Sequence, residues 1–109
     1  MRAAAAGRAG ATMSHKTLTR LELHVARALN TIIHEMKDPR LPIVVTVERV
    51  RLSPDLSQAR VLVSAIERPE ETSELLNHAH RYLQEELAHA LELRRIPRLR
   101  FFSEPREVL

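Results

Sequence analysis

The first regular pattern along the chain is an apolar residue at every third or fourth position, starting at Leu18. The positions that repeat in this way are Leu18, Leu21, Val25, Ala28, Leu29, Ile32 and Met36. This spacing predicts an amphipathic helix, and Thr19 and Glu22 have the spacing of a capping box at its start. The helix is expected to end at Asp38–Pro39, because proline disfavours helical geometry in the residue before it.

Two segments after this helix alternate between apolar and polar residues and are rich in β-branched side chains, which is typical of β-strands. They cover residues 43–52 and 58–66, and Ser53-Pro54-Asp55 between them favours a turn, so we predict an antiparallel pair. In the second strand, every second residue from Ala59 to Ala65 is apolar. In the first strand the apolar positions change from one face to the other partway along, so we expect a β-bulge near Glu48 or burial on both faces.

A second helical pattern starts at Pro69, which is followed by two acidic residues that suit the first turn of a helix. Its apolar stripe consists of Leu75, Leu76, Ala79, Leu83, Leu87, Ala90 and Leu91. The opposite side is mostly acidic and consists of Glu70, Glu74, His78, Arg81, Glu85, His89 and Glu92. This pattern predicts a helix over residues 70–93.

The segment LELRRIPRLRFF (91–102) contains four arginines within seven positions. Arg94 and Arg95 follow the second helix, where the helix dipole favours cations, and Pro97 prevents the helix from continuing. From Arg98 onwards polar and apolar residues alternate, with Leu99 and Phe101 expected inward. This predicts a short third strand.

These elements predict an α+β domain with two helices packed on a three-stranded sheet. We expect residues 1–13 to form a flexible N-terminal tail, residues 14–103 to form the domain, and residues 104–109 to form a frayed C-terminal tail. Met13 is an alternative start of translation. The Arg-containing, acid-poor beginning also fits a short mitochondrial transit peptide, which we consider the weaker interpretation.

Charge is distributed unevenly along the chain. Lysine and arginine total 17 against 14 acidic residues, for a net charge of +3. Residues 61–93 carry two basic and seven acidic side chains, whereas residues 94–109 carry five basic ones. A basic surface with an acidic reverse side is expected of a protein that binds a polyanion.

The chain contains no cysteine, no apolar run of membrane-spanning length and no secretory signal pattern. We therefore expect a soluble cytoplasmic protein that does not contact membranes. We also expect it to be a monomer. After Gly10 there is no glycine, which excludes a P-loop, a dinucleotide fingerprint, a nucleophile elbow and a GxxG loop.

Six histidines raise the question of a metal site. His78 and His80 point to different sides of a helix, and His24 and His34 have no evident third ligand. Glu85 and His89 share a helix face, but two ligands do not make a site. We expect no metal, no cofactor and no catalytic residues, with a small metal-dependent hydrolase as the alternative.

The arginines are the main candidates for a binding site. Arg49 and Arg51 share a face of the first strand, and Arg98 and Arg100 share a face of the third. Only three aromatic residues are present, and Phe101 is expected to be buried, so stacking on bases is a minor mode of binding. The pattern favours contacts with the phosphates and shape of folded RNA or duplex DNA, and a DNA-binding module stays an alternative.

Three segments together resemble the ribosome-binding factor A family. They are KDPRLP (37–42), TVERVRLSPDLSQARVLVS (46–64) and LRRIPRLRFF (93–102), and the similarity covers roughly residues 18–103. The resemblance implies a type II KH-like fold without the GxxG loop. It also implies a non-catalytic assembly factor that binds the small (30S) ribosomal subunit during late maturation of 16S rRNA. The candidate RNA contacts are Arg40, Arg49, Arg51, Arg81, Arg94, Arg95, Arg98 and Arg100.

One position departs from the family's pattern. The second helix of the family usually has an Ala-x-Gly kink, and the matching residues in this chain are Ala79, His80 and Arg81. Arginine is a much better helix former than glycine. We therefore predict that the helix over residues 70–93 is continuous or only gently bent, with Arg81 able to pair with Glu85.

Overall fold

A computed structural model gives the structure of the chain, and it describes residues 14–109; the tail predicted for residues 1–13 lies outside the described residues. The elements in chain order are α1 (His15–Met36), β1 (Val45–Leu52), β2 (Gln58–Ala65), α2 (Pro69–His78), α3 (His80–Leu91), β3 (Arg98–Phe102) and a 3-10 turn (Pro105–Val108). No helix in this part of the chain is long and apolar enough to cross a membrane.

The three strands form one sheet in the order β1-β2-β3, with β1 and β2 antiparallel and β2 and β3 parallel. The helices lie on one face of this sheet, where α1 packs mainly on β1 and the other two helices pack on β3. The predicted bulge is confirmed, because Val47 pairs with Val63 and Arg49 with Leu62, which leaves Glu48 as the extra residue.

Helix α1 starts one turn earlier than predicted. Ser14 is its N-cap, and the Ser14 hydroxyl accepts a hydrogen bond from the Thr17 N–H at 3.3 Å. The capping box predicted at Thr19 and Glu22 is therefore wrong. Glu22 instead accepts a hydrogen bond from the Leu52 N–H at 2.8 Å, so its carboxylate ties the helix to β1.

The helix predicted over residues 70–93 is broken at Ala79, and the prediction of a continuous helix is wrong. Ala79 has φ −94° and ψ 15°, outside helical geometry, and separates α2 from α3. Its N–H is shared between the carbonyls of Leu75 and Leu76, each at 3.1 Å. His80 Nδ1 lies 2.8 Å from the Asn77 carbonyl oxygen and, when protonated, supplies that carbonyl with a donor.

The break has a tertiary cause, since each side of it is hydrogen-bonded separately to β3. On the α2 side, the Asn77 amide accepts from the Phe101 N–H at 2.8 Å and donates to the Phe101 carbonyl at 2.9 Å. On the α3 side, the Gln84 side chain accepts from the Leu99 N–H at 3.0 Å. These bonds to buried backbone groups outweigh the helix propensity that Arg81 adds over glycine.

Side chains from the helices cap part of both edges of the sheet. Asn30 of α1 accepts from the Val47 N–H at 2.7 Å and donates to the Val47 carbonyl at 3.2 Å. At the outer edge of β3, Asn77 pairs both backbone groups of Phe101, and Gln84 accepts from the Leu99 N–H. Because these edge groups are already paired, they are not open to an added strand. The face opposite the helices is the part of the sheet left for binding.

The chain after β3 is not the frayed end that we expected. Residues Pro105–Val108 form a 3-10 turn that contacts all three strands. Val108 is fully buried but does not belong to the core between the sheet and the helices. The turn therefore covers part of the sheet face opposite the helices. The division of the chain at residue 103 stays a prediction.

Candidate nucleic-acid interface

Five exposed arginines lie on the sheet face opposite the helices, and we call them the arginine face. They alternate along the strands with buried apolar residues, so the same pattern that builds the core directs them outward. The members of the arginine face are Arg49, Arg51, Arg60, Arg98 and Arg100.

Three of these arginines form a row straight across the sheet. Arg51 is the cross-strand partner of Arg60, and Arg60 is the partner of Arg100. Directly opposite residues on neighbouring strands have Cβ atoms about 4.5–5.5 Å apart, and like charges at this distance destabilise a sheet. The row is thus a line of closely spaced positive charge whose repulsion a bound polyanion would relieve.

Little negative charge within the protein offsets the arginine face. Glu48 at the bulge is hydrogen-bonded by the Ser64 hydroxyl at 2.6 Å. Glu107 of the 3-10 turn lines the same recess as Arg60 and Arg100. Within residues 14–109, however, none of the arginines of this face forms an ion pair with an acidic side chain. Their guanidinium groups therefore retain donors for an external anion.

A recess of about 780 Å³ borders the arginine face at β3 and the helix break. Arg60, Arg98 and Arg100 contribute the cations, and Asn77 and His80 line the side of the helix break. The Arg100 guanidinium lies 5.5 Å from the centroid of the Phe102 ring, in the range of a cation–π contact. Phosphate oxygens are suitable acceptors for these guanidinium donors.

The connection from α3 to β3 adds two more exposed arginines beside the turn between β1 and β2. Arg95 Nη1 donates to the Asp55 carbonyl at 3.2 Å, which ties the connection to that turn. Asp55 itself orders the turn, because its carboxylate accepts hydrogen bonds from Ser57 and Ser53, which lower its pKa. Arg94 is exposed in the same connection.

The structure does not bring Arg40 and Arg81 to the arginine face. Arg40 lies in the segment between α1 and β1, and Arg81 lies in the first turn of α3. Arg40 donates to Asp38 through Nε at 3.1 Å and through Nη2 at 2.8 Å. Hydrogen bonds from the side chain and backbone of Arg40 lower the pKa of Asp38 to about 2. No ion pair between Arg81 and Glu85 is present in this part of the chain.

Arg60 is a member of the row that the sequence interpretation missed. A signal for it was present, because the predicted inward phase of Ala59 and Val61 places Arg60 on the outer face. The four arginines of LELRRIPRLRFF are clustered in sequence, whereas Arg60 is the only arginine of its strand. Only the register shows that it lies between two other arginines.

The remaining titratable residues do not gather into a reactive site. Among residues 14–109, no group of three or more His, Cys, Asp or Glu side chains is placed to hold a metal ion. A groove between α1 and α3 contains His24, His89, Glu35 and Glu86 together with Arg27. These histidines and acids belong to the exposed helix surfaces.

Comparison with known proteins identifies the family. Residues 17–107 match the family model described as ribosome-binding factor A. The chain belongs to the ribosome-binding factor A family. It is 49% identical over 70 residues to ribosome-binding factor A of Nitrosococcus oceani, an alignment that covers 62% of this chain and 54% of that protein. It is 38% identical over 98 residues to the Psychrobacter arcticus protein, covering 80% and 73%.

Solved structures of ribosome-binding factor A share the fold. The crystal structure of the Thermus thermophilus protein is 41% identical, with a TM-score of 0.74 over 79% of this chain and 94% of that chain. The Thermus thermophilus coordinates fitted into a cryo-electron-microscopy map of a complex with the 30S subunit have a TM-score of 0.69, over 78% and 92%. The KH-like α+β fold class is thereby confirmed, with the second helix divided in two.

Proposed function

We propose that the protein is a non-catalytic assembly factor that binds the small ribosomal subunit and assists the late maturation of 16S rRNA. The arginine face, together with Arg94 and Arg95, contacts folded rRNA. The protein acts as a monomer in the cytoplasm and needs no cofactor. The acidic outer side of α2 and α3, apart from the first turn of α3, points away from the RNA or toward a ribosomal protein.

The row of Arg51, Arg60 and Arg100 carries this proposal. Exposed arginines set side by side without acidic partners destabilise the isolated sheet, and neutralisation by phosphates removes that repulsion. The family relationship supports RNA of the small subunit as the source of those phosphates, because the Thermus thermophilus relative has been fitted into a complex with the 30S subunit.

The side-chain caps on the sheet edges support binding through side chains. Asn30, Asn77 and Gln84 occupy several of the backbone groups that an added strand would need. Recognition then depends on the charge and spacing of the guanidinium groups. Such contacts fix the position of a phosphate backbone and do not read bases directly.

The two alternatives receive less support. A metal-dependent hydrolase needs a convergent set of ligands, and the described residues offer no such group. A DNA-binding module could use the same arginine face, since phosphates are common to both nucleic acids. Membership of the ribosome-binding factor A family favours RNA.

Sedimentation tests the proposal directly. In a cell lysate separated on a sucrose gradient, the protein should travel with free small subunits and not with intact ribosomes. Recovery at the top of the gradient, or with all ribosomal particles equally, would contradict it. Purified protein should also bind small-subunit RNA more tightly than duplex DNA of the same length at equal salt. A preference for DNA would support the alternative module.

The role in maturation needs a separate measurement. Depletion of the protein should lead to accumulation of small subunits whose 16S rRNA has unprocessed ends. Re-expression of the parent chain should restore processing, whereas a chain with the arginine row replaced by glutamine should not. Normal 16S ends after depletion would refute the maturation role while leaving subunit binding intact.

A further inference from the structure

Tyr82 is an exposed aromatic residue that the arginine face does not use. The chain has one tyrosine, two phenylalanines and no tryptophan. Phe101 is buried in the core, and Phe102 is half-buried beside Arg100. Tyr82 is 48% exposed, although the same helix buries Leu83 and Leu87. Its ring is therefore the one aromatic surface well placed for an external partner.

Tyr82 lines an open recess of about 500 Å³ together with the segment that follows α1. Lys37 ends α1 in the left-handed conformation, with φ 52°, and turns the chain so that the following residues face the start of α3. The recess is lined by Met36, Lys37, Asp38, Pro39, Arg40 and Tyr82.

A fixed cation stands at this recess. The Asp38 carboxylate accepts hydrogen bonds from the Arg40 backbone N–H at 2.9 Å, from Nε at 3.1 Å and from Nη2 at 2.8 Å. The Arg40 side chain is nevertheless 70% exposed. Of the five N–H donors of a guanidinium, three are then left for an external group. Asp38 orients Arg40 in advance, so less conformational entropy is lost when an anion binds.

The local charge favours an anionic partner. Lys37 and Arg40 contribute two positive charges, and Asp38 contributes one negative charge. Arg81, which directly precedes Tyr82, is also exposed. Glu85 and Glu86, one turn after Tyr82 on α3, are exposed acids that do not line the recess. The ring and the two cations that do line it match the two parts of a nucleotide, because the base offers a flat π surface and the phosphate is negative.

This recess lies at the opposite end of β1 from the turn between β1 and β2, to which Arg95 is tied. The contacts of Asn30 with Val47 and of Glu22 with Leu52 show that α1 runs antiparallel to β1. The end of α1 is therefore beside the start of β1, whereas Arg95 is tied to the turn that follows β1. Binding at the recess is a second contact and not an extension of that turn.

We propose that this recess holds one unpaired nucleotide of RNA, with its base stacked on Tyr82 and its phosphate at Lys37 and Arg40. The inference rests on the proposed function, because it assigns part of the same RNA to a second contact. Stacking accepts any base, so the recess selects for an unpaired nucleotide and not for a sequence. The arginine face binds the folded part of the same RNA.

Intrinsic fluorescence isolates this site. Because the chain has no tryptophan and one tyrosine, the emission of the protein comes from Tyr82. Short single-stranded RNA should quench it, after correction for absorption by the RNA, whereas a blunt RNA duplex should bind with little quenching. Equal quenching by both, or none by either, would overturn the proposal.

Substitutions separate the ring from the charges. Tyr82→Leu should weaken binding of single-stranded RNA by roughly five- to a hundred-fold, the range expected for loss of one stacked base. Tyr82→Phe keeps the ring and should bind nearly as the parent does. Binding of a blunt duplex, measured by anisotropy of a labelled RNA, should change little in either variant. Circular dichroism should show that both fold as the parent does.

The possible failures can be told apart. If Tyr82→Leu binds single-stranded RNA as tightly as the parent, the recess is not a nucleotide site, and binding through the arginine face still stands. If Tyr82→Leu loses affinity for small subunits but not for RNA, the recess contacts a ribosomal protein, which also overturns the proposal. If the parent binds neither RNA nor subunits, the proposed function itself fails.

Discussion

Replacing the arginine row by glutamine separates binding from stability. In the variant Arg51→Gln, Arg60→Gln and Arg100→Gln, two cross-strand pairs of like charge disappear. Each such pair destabilises a sheet by a few tenths of a kcal/mol up to about 1 kcal/mol, less at physiological salt. The change also removes the contact of Arg100 with Phe102, which contributes about 0.5–1 kcal/mol at an exposed site. The two effects nearly cancel, so we expect the free energy of unfolding to change by less than about 1 kcal/mol.

The effect on RNA binding should be much larger. The arginine face with Arg94 and Arg95 presents seven arginines, because five lie on the face and two in the connection before β3. If each neutralises one phosphate, the slope of log K against log salt is about −5 to −6, and affinity falls by roughly three orders of magnitude between 50 and 200 mM salt. With three arginines removed, the slope should be about −3, and the affinity of the variant should fall roughly a hundred-fold over the same range of salt.

Fluorescence anisotropy of a labelled small-subunit RNA over a series of salt concentrations measures this slope. The matched control is Lys16→Gln, Arg20→Gln and Arg27→Gln, which removes the same charge from the exposed side of α1. The control should keep nearly the parental slope. The reasoning would be refuted if both variants changed the slope equally, or if the row variant unfolded while its folded fraction bound RNA as the parent does.

Three further outcomes are expected. Asn77→Ala should lower the free energy of unfolding by about 1–3 kcal/mol in urea denaturation, because it leaves the N–H and carbonyl of Phe101 unpaired; a change below about 0.5 kcal/mol would mean that the break has another cause. Arg81→Gly should change stability by less than about 1 kcal/mol and keep the break at Ala79, whereas a large shift in helicity by circular dichroism would contradict this. Asp38→Asn should make the free energy of unfolding depend less on pH in acid. The folded pKa of Asp38 is about 2 against an ordinary 3.8, so the stabilisation by its carboxylate is complete above 3.8 and is lost as pH falls towards 2. An unchanged pH dependence in the variant would show that Asp38 does not contribute to it.

Patterns within one element predicted most of the sheet. The inward phase of β2 and the bulge at Glu48 followed from alternation along the chain, because a strand with one buried face must place apolar residues at every second position. The same alternation correctly placed Leu99 and Phe101 inside. The arginine face follows from this rule as well, since the residues between the buried ones must face outward.

Features that depend on partners distant in sequence were not predicted. The interpretation of Glu22 as a capping residue failed because its carboxylate bonds to Leu52, thirty positions away. The break at Ala79 was missed because helix propensity is local, whereas Asn77 and Gln84 bond to β3. The C-terminal turn was missed for the same reason, since Val108 is buried against strands formed much earlier in the chain.

The two helices at the break are linked to the choice of binding surface through β3. Asn77 lies before the break at Ala79 and Gln84 after it, and both side chains bond to the outer edge of β3. These bonds occupy most of the outward backbone groups of β3 and so disfavour strand addition there. Residues 11–109 contain no glycine, so the domain has no GxxG loop of the kind whose backbone donors clamp a phosphate backbone in ordinary KH domains. Binding then depends on side chains. The arginines of the arginine face, and Tyr82 with Arg40 at the second recess, are therefore the groups to change first.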